Sequence, residues 1–342
     1  MDCSIIIVNW NVRDLLRRCL AALPAAAGPR MRWETIVVDN ASADGSAAMV
    51  RGEFPGVRLL ANTANRGFAG GNNQALAISR GRTVLFLNPD TEAAPGAIAT
   101  LLAVLDADPT AAVAGPQLRN PDGSVQSSRR RFPTVATALI ESTPLQPYAA
   151  GMGLLARYYV ADQPDTARQD VDWLTGACLL VRRAALQETG GFDERYFMYS
   201  EELDLCRRIR AAGWRIVYEP VAVVVHFEGQ SSGQDVPARH IRFNRSKVRY
   251  FLRWHGRRTA AWLRLWLLGL YVWQGGLEAG KWLLGHKRPL RAARLRLTAA
   301  VLRNGLRLGR HRERWPTADG GRQTTDDRPQ RGRASAQPKS QS

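Results

Sequence analysis

Apolar residues in the first third of the chain come in short unbroken runs, not in alternation with polar ones. The clearest are Ser4-Ile5-Ile6-Ile7-Val8, Glu34-Thr35-Ile36-Val37-Val38 and Thr83-Val84-Leu85-Phe86-Leu87. Such runs are what strands of a parallel sheet show when helices cover both faces. The pattern predicts strands near 4–9, 35–39, 57–61 and 83–87, and helices near 12–23, 44–51, 72–80 and 95–107. Asp44 and Pro95 stand where helix starts belong. This strand–helix rhythm over residues 1–115 predicts an α/β fold. Residues 116–171, broken by Pro116, Pro121, Pro133, Pro144 and Pro147, read as loops and an irregular excursion. A second ordered block runs from Trp173 to about Phe227. It holds a strand at 177–181, the Gly190-Gly191 turn, a helix at 201–212, and strands near 215–218 and 221–226.

Three of the predicted strands end in polar tips: Asn9-Trp10-Asn11, Asp39-Asn40 and Asn88-Pro89-Asp90. In an open α/β sheet the carboxyl edge of the strands is where ligands bind. Polar tips at one edge suit a polar, phosphorylated, metal-bound small molecule. A hard cation such as Mg²⁺ or Mn²⁺ takes one or two carboxylates and completes its shell from phosphate and water. Asp90, with Asn88 two residues before it, fits such a half-built site; turn chemistry is the competing explanation. Asp39 can accept hydrogen bonds from a ribose or a nucleobase. The glycine-rich turn from Asn65 to Asn73 opens a helix whose N–H groups can face phosphate, although it is neither GxGxxG nor a P-loop. Glu201, Glu202 and Asp204 crowd one first helical turn, either as dipole compensation or as a presented general base. His226, ending the run Val221–Val225, is a candidate metal or phosphate contact.

Charge changes the picture at the C-terminal end. The net charge is +18, and from Arg239 to Arg314 there are 20 Lys+Arg against two acids, Glu278 and Glu313. The body is therefore near neutral and a basic segment follows it, suited to anionic lipid or nucleic acid. No nucleic-acid motif accompanies the charge, so no nucleic-acid partner is expected. Residues 260–279 are apolar, but the charge-free run Leu265–Leu277 is only 13 residues long. That falls short of the roughly 20 needed to span a bilayer. Trp262, Trp266, Trp273 and Trp282 suit a membrane interface. Leu295, Leu302 and Leu306 share a helical stripe with Arg296, Arg303 and Arg307 beside it, the pattern of a helix lying on anionic lipid. From about Asp319 the chain is polar and expected to be disordered. Four scattered cysteines without CxxC spacing suggest a reducing, cytoplasmic compartment, and no cleaved signal peptide is expected.

Taken in order, the motifs resemble family 2 of the inverting glycosyltransferases, and within it the rhamnosyltransferase-like branch. The segments that carry the resemblance are Ile6 to Asn11, Val37 to Ser46, Asn65 to Asn73, Leu87 to Thr91, Trp173 to Ala177, Gly190 to Glu194 with Phe197-Met198-Tyr199, Glu201 to Arg208, and His226. The resemblance covers roughly residues 3–235. It implies a GT-A fold: a Rossmann-like, mostly parallel open sheet flanked by helices, here followed by a basic helical appendage. The expected division is 1–235 for the transferase domain (1–115 nucleotide-binding, 116–235 acceptor and catalytic), 236–312 for a membrane-associating region, and 313–342 for a disordered tail. The resemblance implies a nucleotide-diphosphate sugar donor and a divalent metal. Val8, Asn9, Asn11, Asp39, Asn65, Gly67, Asn72 and Asn88 would contact the donor, and Asp90 and His226 the metal. Trp173, Thr175 and Gly176 would shape the acceptor site. The family's catalytic Asp directly follows a Glu at the position of Glu201. This chain has Glu202 there, with Asp204 two residues on, so Glu202 is the first candidate for the base and Asp204 the second. The implied reaction passes a sugar, rhamnose or another hexose or deoxyhexose, to a glycan or polyprenyl-linked acceptor at the inner face of the cell membrane. A sugar nucleotidyltransferase and a non-enzymatic basic protein that binds nucleic acid or membrane are the alternatives.

Overall fold

A computed structural model describes residues 1–149, 153–229 and 235–308. The first half follows the strand–helix alternation: β1 (Cys3–Asn9), α1 (Arg13–Ala27), β2 (Trp33–Asp39), α2 (Ser46–Glu53), β3 (Arg58–Ala61), α3 (Gly67–Ile78) and β4 (Thr83–Leu87). All seven residues of β1 are buried. Its side chains alternate between two cores. Cys3, Ile5 and Ile7 pack with Leu16, Leu20 and Leu101 on one face, and Ile6 and Val8 with Ala69, Leu203 and Phe251 on the other. This is the physical content of an apolar run without polar breaks: both faces of the pleat need a hydrophobic side chain.

The chain continues through β5 (Thr91–Ala93), α4 (Ala97–Ala107), β6 (Ala111–Arg119), β7 (Val125–Gln126), β8 (Arg129–Arg130), α5 (Val135–Ile140) and α6 (Gly153–Tyr158). Then come β9 (Gln169–Asp170), β10 (Trp173–Leu174), β11 (Cys178–Arg182), α7 (Arg183–Thr189), α8 (Glu201–Ala211), β12 (Arg215–His226), α9 (Val236–Leu283) and α10 (Arg288–Asn304). The main sheet has the order β3-β2-β1-β4-β11-β6-β12-β5, with β7 on β6 and β9 on β12. β1 to β4 are parallel, β11 is antiparallel to β4 and β6, and β12 is parallel to β6. The carboxyl ends of β1, β2, β4, β6 and β12 therefore share one edge, where β11 begins. Strand β6 lies where irregular chain was expected from residue 116. Pro116 sits within it because β12 shifts register between Glu219 and Val223 beside it. Residues 215–226 form one strand, with this irregularity at the point where a break between two strands was expected.

The basic C-terminal region is not merely appended. Met1–Leu308 form one compact unit. Val248, Tyr250, Phe251, Ala260, Leu263 and Leu267 of α9 join the same core as β1. Helix α9 is broken at Gly256, whose φ of 85° lies in the left-handed region that glycine tolerates. Leu306, expected to face lipid, is fully buried, Leu295 and Leu302 are half-buried, and Arg296, Arg303 and Arg307 stay exposed. The leucine stripe of α10 packs on the protein. The expected disordered tail, 313–342, lies outside the described residues.

One buried carboxylate ties α8 to α9. Asp204 has no exposed surface. Its Oδ2 accepts from Arg208 Nε at 2.9 Å and from Arg253 at 2.8 Å, and its Oδ1 from Trp254 Nε1 at 2.9 Å. Removing one partner of a buried ion pair strands the other. The Asp204→Asn variant is expected to lose stability toward the lower end of roughly 3–5 kcal/mol, because Arg208 and Arg253 keep other acceptors. Urea unfolding monitored by circular dichroism checks this; an unchanged midpoint would refute the anchoring role.

Candidate functional site

A cavity of about 970 Å³ opens at the shared strand edge. Val8, Asn40, Asn88 and Asp90 line it from the parallel strands, and Thr175 and Gly176 from the start of β11. Glu201 and Glu202 line it from α8, and residues of α9 form the far wall. Topology produces this convergence. β5 pairs with β12 in a register that sets Thr91 opposite His226, and the Phe227 N–H donates to the Asp90 carbonyl at 2.8 Å. The His226 Nε2 then lies 3.4 Å from the Asp90 carboxylate and 3.5 Å from Asn88 Nδ2. A carboxylate oxygen and an imidazole nitrogen this close can be donors to one hard cation. Among the described residues no group of three or more His, Cys, Asp or Glu forms a ready cage. The pair fits a cation that draws its remaining ligands from phosphate and water.

The donor-side residues divide into wall and buttress. Val8, Asn65, Gly67 and Asn88 face the cavity. Asp39 does not line it: Oδ1 accepts from Asn9 Nδ2 at 2.9 Å and Oδ2 from the Ser42 N–H at 3.0 Å. Asn9 and Asp39 lock the ends of β1 and β2 together, and Asn40, the next residue, is the one presented. Asn11 braces the same corner by accepting from the Ala43 N–H, and Asn72 donates to the Phe68 carbonyl within its own helix. The first N–H groups of α3 are not free for phosphate as expected. Gly67 N–H is taken by Asn65 Oδ1 at 2.8 Å and Phe68 N–H by the Phe197 carbonyl at 2.8 Å.

Helix α8 decides between the two candidate bases. Residues two apart on a helix point about 200° apart. Asp204 faces the protein interior, with both oxygens bound, so it cannot serve the cavity. Glu202 faces it. One of its carboxylate oxygens is shielded from solvent without a hydrogen-bond partner, and so is one of Glu201. Burial raises the Glu202 pKa above the usual carboxylate range, while N–H groups including that of Gly176 and the charge of Arg130 oppose the rise. Burial raises Glu201 further, reinforced by the neighbouring charge of Glu202. Gly176 packs against Glu202 here, and a Cβ at 176 would lie 3.4 Å from that of Glu202, an ordinary contact distance. The turn before the helix is strained: Tyr199 and Ser200 have φ of 72° and 64°. Helix α9 holds it in place. Ser246 Oγ donates to the Met198 carbonyl at 2.9 Å, and Phe243 meets the Tyr199 ring edge-on at 5.6 Å.

Arg130, Glu141 and Lys247 escaped the sequence reading, whereas Trp173 and Thr175 were expected at the acceptor end. Arg130 lines the cavity beneath Tyr159, 4.6 Å from the ring centre, and beside Trp173. Its place in Arg129-Arg130-Arg131 resembles an ordinary surface charge run. Trp173 donates from Nε1 to the Arg131 carbonyl at 3.0 Å, and Thr175 holds a buried hydroxyl without a partner. Glu141 and Lys247 pair across the wall at 3.0 Å. Although burial opposes it, the Lys247 ammonium holds the Glu141 carboxyl below its usual range.

Comparison with known proteins adds identity to this geometry. The family model described as glycosyl transferase family 2 matches residues 4–190, and that of glycosyl transferase family 21 matches 154–261. The N-acetylglucosaminyl-diphospho-decaprenol L-rhamnosyltransferase of Mycobacterium tuberculosis is 34% identical over 264 residues, covering 72% of this chain and 83% of its own. Rhamnosyltransferase WbbL of Escherichia coli K12 is 28% identical over 267 residues, covering 76% and 91%. In structure the chain is similar to the mannosyltransferase PcManGT from Pyrobaculum calidifontis, solved with GDP-Man and Mn²⁺. The TM-score is 0.52 at 18% identity, over 88% of this chain and 84% of that one. That likeness bears on fold, and it agrees with the expected GT-A architecture.

The tightest packing at the site is at Gly67. Its φ is 76°, and a Cβ there would fall 2.3 Å from the Phe197 carbonyl oxygen. Gly67→Ala is expected to cost about 1–3 kcal/mol of stability through the strained conformation and the clash. Chemical denaturation measures it; a neutral substitution would show that this approach is not a constraint.

Proposed function

The chain belongs to glycosyl transferase family 2, and on that premise we propose that it transfers a sugar from a nucleoside-diphosphate donor to an acceptor hydroxyl with inversion. Rhamnose is the favoured sugar, with another hexose or deoxyhexose as the wider class, because both relatives above are named rhamnosyltransferases. The acceptor is a glycan or polyprenyl-linked saccharide of surface-polysaccharide synthesis, as the decaprenol in the mycobacterial relative's name suggests. Family membership favours this over a nucleotidyltransferase or a nucleic-acid-binding protein. The observation that carries the mechanistic reading is the meeting of Asp90, His226 and Glu202 in one cavity.

In this reading Val8, Asn40 and Asn65 border the nucleoside, with Asp39 and Asn9 behind them as buttress. Asp90 and His226 would hold Mg²⁺ or Mn²⁺, and what a bound cation supplies there is neutralisation of the departing diphosphate. Glu202 accepts the proton of the acceptor hydroxyl as that oxygen attacks the anomeric carbon. Its partnerless oxygen is suited to that proton, and Arg130 favours the ionised form it needs. A single displacement inverts the anomeric centre, in contrast to the paired carboxylates of retaining glycosidases. Trp173, Thr175 and Gly176 shape the acceptor end.

The C-terminal helices add an anchoring surface in the same reading. Trp262, Leu265, Val272, Trp273, Leu277 and Leu283 are exposed and share one side of α9, opposite the side that packs on the protein. No charged residue falls on that side between Trp262 and Leu283, whereas Arg257, Arg258, Lys281, Lys287 and Arg288 stand near its ends. An apolar stripe about 30 Å long, edged by tryptophan and cations, suits a helix lying in the plane of an anionic leaflet. No described helix is long and apolar enough to cross a membrane. We place the protein peripherally on the cytoplasmic face, beside a lipid-linked acceptor.

Two experiments test this. Nucleoside-diphosphate release from a panel of nucleotide sugars with Mn²⁺ should identify a donor. Glu202→Gln should lower kcat by about 10²–10⁴-fold without weakening donor binding, and Asp90→Asn should abolish the metal-dependent turnover. Because the Glu202 pKa is raised and its ionised form is the active one, wild-type kcat/KM should fall on acidification through a limb above the roughly 4.3 of a free Glu. Full activity in either variant would refute its assignment. In flotation with anionic liposomes the full-length protein should rise with the vesicles, and Leu265→Glu with Trp273→Glu should stay behind. A wild-type protein that fails to float ends the membrane reading.

A further inference from the structure

The His226 side chain has two ring nitrogens, and only an unprotonated Nε2 can offer a lone pair toward Asp90. We propose that Gln126 is a positioning residue that keeps the proton on Nδ1 and so leaves Nε2 bare. This rests on the reading of Asp90 and His226 as the cation-holding pair.

The geometry fixes the direction of every hydrogen bond in the chain that ends at His226. Nδ1 lies 2.8 Å from Gln126 Oε1. Amide oxygen and nitrogen are interchangeable by shape alone, so the partners must decide between them. Gln126 Nε2 lies 3.3 Å from a carboxylate oxygen of Glu228, which when ionised can only accept. A second line of partners gives the same answer. Ser124 Oγ lies 2.5 Å from the Asp122 carboxylate and must donate to it. Ser124 Oγ therefore accepts from Asn120 Nδ2 at 2.9 Å, which turns Asn120 Oδ1 toward Gln126 Nε2 at 3.1 Å. Both Glu228 and Asp122 thus place the amide nitrogen of Gln126 away from the ring and its oxygen against it. An oxygen facing Nδ1 requires that Nδ1 carry hydrogen. In the neutral ring, the form able to ligate a cation, the single N–H is then on Nδ1 and Nε2, 3.4 Å from Asp90, carries the lone pair.

The backbone supports this arrangement. Gln126 stands on β7, which pairs antiparallel with β6 so that Leu118 faces Gln126, while β12 pairs with the other side of β6. The turn between β6 and β7 is closed by Asn120 N–H to Ser124 O at 2.8 Å and return bonds. The hairpin that carries Asp122, Ser124 and Asn120 thus relays the orientation of one exposed carboxylate to a ring at the cavity wall. An outer partner that sets the tautomer of a ligating His is worth roughly 10–100-fold in metal affinity.

The test uses the full-length protein and reads the ring directly. Long-range ¹H–¹⁵N NMR of the metal-free wild type, with His226 assigned from its loss in His226→Asn, should show an Nδ1–H tautomer. Gln126→Leu should lose that signature, and Gln126→Glu, which keeps an acceptor facing the ring, should retain it. Mn²⁺ titration by electron paramagnetic resonance should show about 10–100-fold weaker binding in Gln126→Leu with an unchanged fold by circular dichroism. An Nε2–H tautomer in the wild type, or an Nδ1–H tautomer persisting in Gln126→Leu, overturns the proposal. So does unaltered Mn²⁺ affinity in Gln126→Leu when His226→Asn weakens it. If His226→Asn and Asp90→Asn both bind Mn²⁺ as wild type does, the cation reading itself fails, whatever the tautomer.

Discussion

Helix α8 can turn either Glu202 or Asp204 toward the cavity, never both, and much of the molecule is arranged to settle which. Asp204 is fully buried against Arg208, Arg253 and Trp254. Two of these partners belong to α9, so the rotation of α8 about its axis is set by a helix distant in sequence. With Asp204 held inward, Glu202 is directed outward. The strained Tyr199–Ser200 turn delivers the chain into α8 at this angle, and α9 again secures it through Ser246 and Phe243. Catalytic geometry and stability are therefore linked through one carboxylate that never touches substrate in this reading.

The opposite wall obeys a different constraint. Asp90 and His226 are far apart in sequence, and β5 exists to bring them together. It is three residues long, pairs antiparallel with the end of β12, and places the two side chains at adjacent positions of the same edge. A short strand suffices because its ladder bonds need only fix one register. The electrostatics then divide in a useful way. The strand edge gathers Asp90, His226 and amides, suited to a cation and phosphate. On the other wall Glu202 of α8 meets the charge of Arg130 on β8, and Glu141 after α5 pairs with Lys247 of α9, so these carboxylates meet opposing charge.

Helix α9 is apolar on two sides. One side enters the core through Val248, Phe251, Leu263 and Leu267, and the other carries an apolar stripe to the surface. A helix hydrophobic on both sides is normally buried. Here the outer side remains uncovered among the described residues, and its tryptophans and flanking cations give it the character of a lipid-facing surface. The sequence reading gave that role to the whole region 236–312, including the leucine stripe at 295–306, which instead packs on the protein.

The sequence by itself determined the parallel half of the sheet, the polar strand tips and the acidic opening of α8. These are local: an apolar run demands two covered faces, and a strand in an open sheet ends at the ligand edge. Asn88, Asp90 and His226 were legible as polar strand ends, Asn65 came from the glycine-rich turn, and the family resemblance added Val8 and named Glu202 as a candidate; all six line the cavity. Other features needed the tertiary structure. Asp39 and Asn9 look like contacts until their partners are seen, because a carboxylate's role depends on which donors are already spent. β6 was hidden by its proline, Gln126 by a loop-like segment, and Arg130 by a run of like charges. Only the fold decided that Asp204 turns inward, that the α10 leucines are packed, and that Glu202 faces the cavity. Sequence fixes the angle between neighbouring side chains on a helix, but packing against a distant helix fixes which of them points at the cavity.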